Sequence, residues 1–294
     1  MRLNPIQTEA YQKDGILRVE GALSDGDLQP VIDELTAVVD ARAQELHAEG
    51  ELPELHEDAP FETRIGLLYA QCPQIIKGVD IMHYRGEAIF RFLRNSNLLD
   101  VLEGLLGPEI TCNPIQHVRA KPPDRFEPTS GPSFHMAPWH QDAGVMMPEA
   151  EASNVITCWL PLGDATADMG CMEVIPGAVE GGYLRHQNEG GTTIVPEFIP
   201  DREARIMDCR KGDLMLMSRF TPHRSRPNVS DRCRWSLDMR YQPTGQHTGR
   251  TGHPNFVVRS AAEGGSVLTD HATWCSLWVD AFENPSGVVT HRTQ

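Results

Sequence analysis

The chain has 294 residues, 40% of them hydrophobic and 23% charged, a balance that fits a folded globular protein and argues against disorder. Its 41 acidic residues against 26 basic ones give a formal charge of -15, which repels nucleic acid and anionic membrane surfaces and disfavours both as partners. Seven cysteines form no CxxC pair, are odd in number and follow no signal peptide, so the expected setting is a reducing cytoplasm. No apolar run approaches the roughly 20 residues that span a bilayer.

Taken in chain order, Tyr11-Gln12-Lys13-Asp14-Gly15 reads as a turn into a short strand, Ile16-Leu17-Arg18-Val19. Ser24 then opens a helix: Leu28, Val31, Ile32, Leu35, Val38, Val39 and Leu46 recur at helical spacing, and Ser24 with Asp27 resembles a capping box. The acidic stretch from Gly50 to Pro60 reads as a loop. Mixed helical spacings continue to Leu106, where Gly107-Pro108 stops the pattern.

Beyond Gly107 the pattern changes. Ile110 to Val118, Val155 to Leu162, Met172 to Ile175, Leu214 to Met217 and Trp235 to Tyr241 are short apolar or alternating runs separated by Gly, Pro and Asp. Such spacing predicts an antiparallel sandwich or barrel. A last helix over Asp270 to Phe282 puts Trp274, Leu277, Trp278 and Phe282 on one face, which covers the core or meets a second subunit. The expected organisation is one domain over 1–294: a mostly helical part (1–106), a β core (107–245) and an extension with a helix (246–294).

The sharpest local feature is His140-Gln141-Asp142. On extended backbone, residues i and i+2 point to the same side, so both side chains can meet one metal ion. Two imidazoles and a carboxylate that leave neighbouring positions open form the facial triad of non-haem iron(II) oxygenases. His223, following the run Leu214-Met215-Leu216-Met217, sits near the end of a late strand and supplies the second imidazole. By itself HxD with a later histidine is a weak signal in a chain with 12 histidines. Eleven positions beyond His223, Arg234 is placed to send a guanidinium fork from the next strand into the same cavity, where it would pair with the distal carboxylate of 2-oxoglutarate. Spacing alone leaves Arg232 as an alternative.

Several separate segments then add up. Tyr11-Gln12-Lys13-Asp14-Gly15, Lys121-Pro122-Pro123, Trp139-His140-Gln141-Asp142, Trp159-Leu160-Pro161-Leu162, Gly170 to Gly177 and Lys211-Gly212-Asp213-Leu214 occur in the order seen in the phytanoyl-CoA dioxygenase family of iron(II), 2-oxoglutarate oxygenases, which this chain resembles from about Tyr11 to Tyr241. The resemblance implies a mainly β fold, a double-stranded β-helix (jelly roll, cupin-like) with helices outside. It implies iron(II) held by His140, Asp142 and His223, with 2-oxoglutarate and O2 as cosubstrates. It also puts the cosubstrate arginine at Arg234, with Ser236, Trp159, Gln116 and Lys121 as further contacts.

The implied reaction oxidises 2-oxoglutarate to succinate and CO2 while a small-molecule substrate is hydroxylated or desaturated. In related halogenases the carboxylate position is Gly or Ala, so Asp142 argues against halogenation. Where the family usually has Pro-Gly-Ser-His, this chain has Pro176-Gly177-Ala178-Val179, so the substrate does not carry over.

For the substrate pocket the sequence offers the loop from Asp124 to Pro138, the apolar pair Met146 and Met147, and a cationic group around His223 that includes Arg219, Arg224, Arg226 and Arg240. These arginines suggest an anionic substrate, unless they pair with surface carboxylates. Two other readings stand beside the oxygenase: a noncatalytic 2-oxoglutarate sensor of the same fold, and a zinc hydrolase using the same three ligands.

Overall fold

The computed structural model describes residues 2–126, 136–189, 191–286 and 292. The helical part comprises α1 (Pro5–Asp14), then, after strand β1 (Ile16–Val19), α2 (Asp25–Ala48), α3 (Phe61–Gln71), α4 (Ile81–Tyr84), α5 (Glu87–Phe92) and α6 (Ser96–Leu106). Strands follow: β2 (Ile110–Cys112), β3 (His117–Lys121), β4 (Ile156–Pro161), β5 (Met172–Val174), β6 (His186–Asn188), β7 (Thr192–Ile194), β8 (Arg205–Met207), β9 (Leu214–Ser218), β10 (His223–Ser225), β11 (Arg234–Pro243) and β12 (Phe256–Arg259). Helix α7 (His271–Glu283) comes last.

Among the described residues the strands form a major sheet in the order β1-β9-β4-β11-β2-β12, with β3 also on β11, a minor sheet β10-β5-β8, and a β6-β7 hairpin. These strands pair antiparallel. Two sheets with helices outside make the expected double-stranded β-helix.

Alternation along the central strands sorts side chains between two compartments. On β11, Trp235, Leu237, Met239 and Tyr241 enter the large core shared with the helices, as do Cys158 and Leu160 of β4 and Leu214 and Leu216 of β9. The opposite face of the sheet meets the minor sheet: Trp159 of β4 and Met215 and Met217 of β9 pack with Met172, Val174 and Met207 of β5 and β8. The polar residues of β11 lie on this second side, and the site forms there.

Helix α2 starts as its sequence predicts, with Ser24 and Asp27 in a reciprocal capping box. Helix α1 replaces the expected turn before β1. It buries only Tyr11, so it has no apolar period to detect; an Asn4/Gln7 capping box and Pro5 start it, and Gly15 ends it in the left-handed conformation. Gly15 is required there for a second reason: a Cβ would come within 2.2 Å of the Val179 side chain.

Helix α7 is only partly the expected stripe. Trp274 and Trp278 are fully buried, but Leu277 and Phe282 are each 39% exposed. Trp274 stacks on Phe90 at 5.1 Å and meets Phe256 edge-on. Trp274→Ala should therefore destabilise the protein by about 3–5 kcal/mol in denaturant titration, whereas Leu277→Ala should cost less than about 1 kcal/mol.

Candidate metal centre

The three predicted ligand residues arrive from two elements of backbone. His140 and His223 form an isolated antiparallel bridge, exchanging N–H···O bonds of 3.0 and 2.9 Å. Gln141 is extended (φ -114°, ψ 144°), so His140 and Asp142 share a side; Asp142 itself begins a single 3-10 turn, Asp142–Val145, instead of continuing a strand. His223 is the first residue of β10, paired with Val174, rather than the end of a strand. The chain entering it is fixed by Gly15, whose carbonyl accepts from the Ser218 N–H (2.8 Å) and the Thr221 hydroxyl (2.6 Å).

One donor atom from each of His140, Asp142 and His223 lies within 4.8 Å of the others. His140 Nδ1 donates to the Pro138 carbonyl (2.8 Å) and His223 Nδ1 to the Thr221 carbonyl (2.9 Å). Each ring therefore carries its proton on Nδ1 and leaves the Nε2 lone pair free, as a metal ligand requires. Asp142 is held at both oxygens: Arg240 Nη2 donates to Oδ1 at 2.5 Å and the Thr157 hydroxyl donates to Oδ2. Donor type, tautomer and proximity all fit a divalent cation.

Gln141, between the two ligands, points the other way and anchors them. Its side-chain amide donates to the Gly182 and Phe220 carbonyls, its Oε1 accepts from Leu184 N–H, and its own N–H donates to His186 Nε2. It is fully buried.

His140 and His223 open on a cavity of about 800 Å³ that Trp159, Lys121, Arg234, Met172 and Met217 also line, while Asp142 beside them is fully buried. Arg234 begins β11 opposite Lys121 on β3. Its guanidinium lies 5.3 Å from the Trp159 ring centroid and donates to Ser236 Oγ at 3.0 Å, while its buried Nε has no hydrogen-bond partner among the described residues. Burial lowers its pKa to about 10, still charged at neutral pH. A buried guanidinium with spare donor capacity facing a cavity fits an incoming carboxylate. Arg232, the alternative, instead pairs with Glu62 at 3.2 Å.

Other expected contacts lie elsewhere. Gln116 is buried off the cavity, its Nε2 donating to the Asn113 carbonyl. Met146 packs with Ile115 and Val155, and Met147 is held by backbone to Gly249; Val145 is the residue of that stretch that reaches the cavity. Arg219 donates to the carbonyls of Ala150 and Glu151 and stacks on Phe220. Arg224 pairs with Glu173 at 2.6 Å and lies over Trp139, and Arg226 meets the same carboxylate. The cationic group around His223 is thus spent on local carboxylates and carbonyls. Most of the loop expected over the pocket, 127–135, lies outside the described residues.

Three groups went unassigned in the sequence. Thr157 and Asp238 were legible in principle, since they fall at period two on β4 and β11 with Trp159 and Arg234. Arg119, on the face of β3 shared with Lys121, had no distinguishing signal.

The two antiparallel sheets, the half-open cavity and the cluster of His140, Asp142 and His223 define a double-stranded β-helix protein with a candidate metal centre. The chain belongs to the phytanoyl-CoA dioxygenase family, whose model matches residues 11–236. It is 26% identical over 288 residues to phytanoyl-CoA dioxygenase domain-containing protein 1 of Bos taurus, covering 82% of this chain and 96% of that protein. It is 30% identical over 165 residues to the 1-deoxypentalenic acid 11-beta-hydroxylase of Streptomyces arenae, covering 51% and 56% of the two chains.

Among solved structures, the non-heme monooxygenase ThoJ superposes with a TM-score of 0.62 at 19% identity, covering 94% of this chain and 93% of that one. The epimerase SnoN, in complex with Fe3+, alpha ketoglutarate and nogalamycin RO, does so with a TM-score of 0.56 at 18% identity, covering 90% and 93%. At these identities the structural likeness concerns the fold. No helix among the described residues is long and apolar enough to cross a membrane.

The electrostatics of the cluster set a pH limit. Although part of His140 opens onto the cavity, burial, and then the neighbouring His223, lower its pKa to about 4. Burial alone would raise the Asp142 pKa, but Arg240 and the two imidazoles hold it well below the usual carboxylate value. An unfolded histidine binds its proton near pH 6.5, so between there and about 4 the unfolded state holds more protons and stability rises with pH. The metal-free protein should lose stability on acidification through that window, with a His140 contribution approaching 1.4 kcal/mol per pH unit. His140→Gln should flatten that part of the profile in denaturation measured from pH 7 to 4.

Proposed function

We propose that this chain is an iron(II)- and 2-oxoglutarate-dependent oxygenase that hydroxylates or desaturates a small molecule, releasing succinate and CO2. The observation that carries the reading is the shared cavity: the His140, Asp142 and His223 donors at one place, and the buried Arg234 on its Trp159 and Ser236 cradle at another. A zinc hydrolase would leave Arg234 without a task, and a sensor would not need a facial donor set opening towards a second ligand. The whole of 1–294 is read as one catalytic domain. Its seven cysteines are unpaired, which supports a reducing, cytoplasmic setting.

In this reading His140 and His223 bind iron through Nε2 and Asp142 through a carboxylate oxygen. Iron with 2-oxoglutarate supplies the activation of O2 and the two electrons from oxidative decarboxylation. Arg234 pairs with the distal carboxylate of 2-oxoglutarate, with Trp159 and Ser236 holding the guanidinium in plane and Lys121 adding positive charge. Met172 and Met217 make the adjoining wall apolar and exclude water.

The substrate side of the cavity is lined by Ile76, Val79, Val118 and Val145, with Arg119 and Asp80 as its charged groups. Asp80 is already bound to His117 Nδ1 at 2.7 Å and to the Val118 N–H. Arg119 is exposed at the cavity, where its charge acts on Asp80, and it makes no hydrogen bond or close ion pair among the described residues. The favoured substrate is therefore an apolar body carrying an anionic group, with Arg119 taking the role first expected of Arg219 and Arg224.

Purified protein should convert 2-oxoglutarate to succinate only with both iron(II) and O2, and Asp142→Ala should abolish the conversion. Arg234→Gln should raise the KM for 2-oxoglutarate at least about tenfold, the loss of roughly 1.4 kcal/mol or more from a charged pair. Metal-independent or zinc-supported turnover would refute the reading. In a panel of apolar carboxylic acids and their methyl esters, acids should stimulate 2-oxoglutarate consumption and Arg119→Gln should remove that preference. Esters consumed as well as acids by the unaltered protein would refute the anionic substrate.

A further inference from the structure

Asp142 is 1% exposed and is gripped by two residues that face each other across the sheet. Arg240 on β11 and Thr157 on β4 are register partners, so their side chains leave the same face side by side. Each takes a different oxygen of the one carboxylate: Arg240 Nη2 takes Oδ1 at 2.5 Å, and the Thr157 hydroxyl takes Oδ2. Neither residue belongs to the segment that carries Asp142.

Arg240 is itself fixed from the far side. It is 3% exposed, its Nη2 also reaches Asp238 Oδ2 at 3.3 Å, and its Nη1 donates to the Ile115 carbonyl at 3.3 Å. Asp238 lies two residues earlier on β11, on the same face, and lines the cavity. The guanidinium is thus held by β11 and the chain before β3 whether or not Asp142 is present.

Resting on the metal reading above, we propose that Arg240 and Thr157 form a preorganised carboxylate clamp that positions Asp142 for the metal and that survives as an anion site when the Asp142 side chain is removed. A free carboxylate of the smallest size, formate, would then occupy the place of the Asp142 head group and restore the third ligand. A salt bridge serving only fold stability makes no such prediction, because filling the vacated space would not depend on Arg240.

The test is a titration of the full chain with Co(II), read by visible ligand-field absorption and calorimetry, with and without sodium formate. Asp142→Gly should weaken Co(II) binding at least tenfold, and formate should recover most of that loss. In Asp142→Gly combined with Arg240→Met, formate should recover none of it. Should that double variant fail to fold by circular dichroism, Thr157→Val in the Asp142→Gly background takes its place, with the formate requirement raised several-fold. Formate recovery equal with and without the clamp residues, or no recovery in Asp142→Gly, would overturn the clamp while leaving the oxygenase reading in place. Failure of the unaltered protein to bind Co(II) at all would overturn both.

Discussion

A carboxylate buried as deeply as Asp142 is costly unless something pays back its lost hydration, and much of the inner structure answers that constraint. An ion removed from water loses several kcal/mol even after relaxation, so it persists only with strong partners. Arg240, Thr157 and the two imidazoles surround it, and Asp238 accepts from the same Arg240 Nη2. The charges are arranged in series from Asp142 through Arg240 to Asp238, which ends at the cavity wall. A divalent cation beside Asp142 would add to this series without requiring it to rearrange.

A single strand organises both halves of the site. Because side chains alternate on β11, one set of residues, Trp235, Leu237, Met239 and Tyr241, binds the sheet to its helical layer. The other set, Arg234, Ser236, Asp238 and Arg240, faces inward and provides in sequence the proposed cosubstrate anchor, its support, the cavity carboxylate and the Asp142 buttress. Rigidity and chemistry are therefore coupled through one backbone: the apolar face that stabilises the fold also fixes the spacing of the polar face. A register slip of one residue would exchange the two sets, which would bury the charges in the helical core and so is strongly disfavoured.

This coupling also explains what the sequence made legible. The start of α2 was readable from its cap and helical period, and β4, β9 and β11 from apolar or alternating runs set off by Gly, Pro and Asp. Strands β6, β7, β8, β10 and β12 are three or four residues long, too short for a period, and α1 buries a single side chain. In the site, His140, Asp142 and His223 were visible as a pattern, but the role of the surrounding arginines was not. Arg219, Arg224 and Arg240 look alike in sequence, yet one caps carbonyls, one binds Glu173 and one holds Asp142; only the pairing partners distinguish them. Arg119 is likewise indistinct in sequence, since only its place on the cavity sets it apart.

In the proposed oxygenase, His140, Asp142, His223 and Arg234 together hold one metal and one keto acid in the same cavity. This arrangement is tested most directly by the visible charge-transfer absorption that appears when a 2-oxo acid chelates iron(II), recorded without oxygen. The unaltered protein should develop that absorption on addition of iron(II) and 2-oxoglutarate in a one-to-one ratio, with Arg234→Gln requiring much more 2-oxoglutarate to reach it. Absence of the band at saturating iron(II) and 2-oxoglutarate, or an Arg234→Gln titration indistinguishable from that of the unaltered protein, would contradict the account.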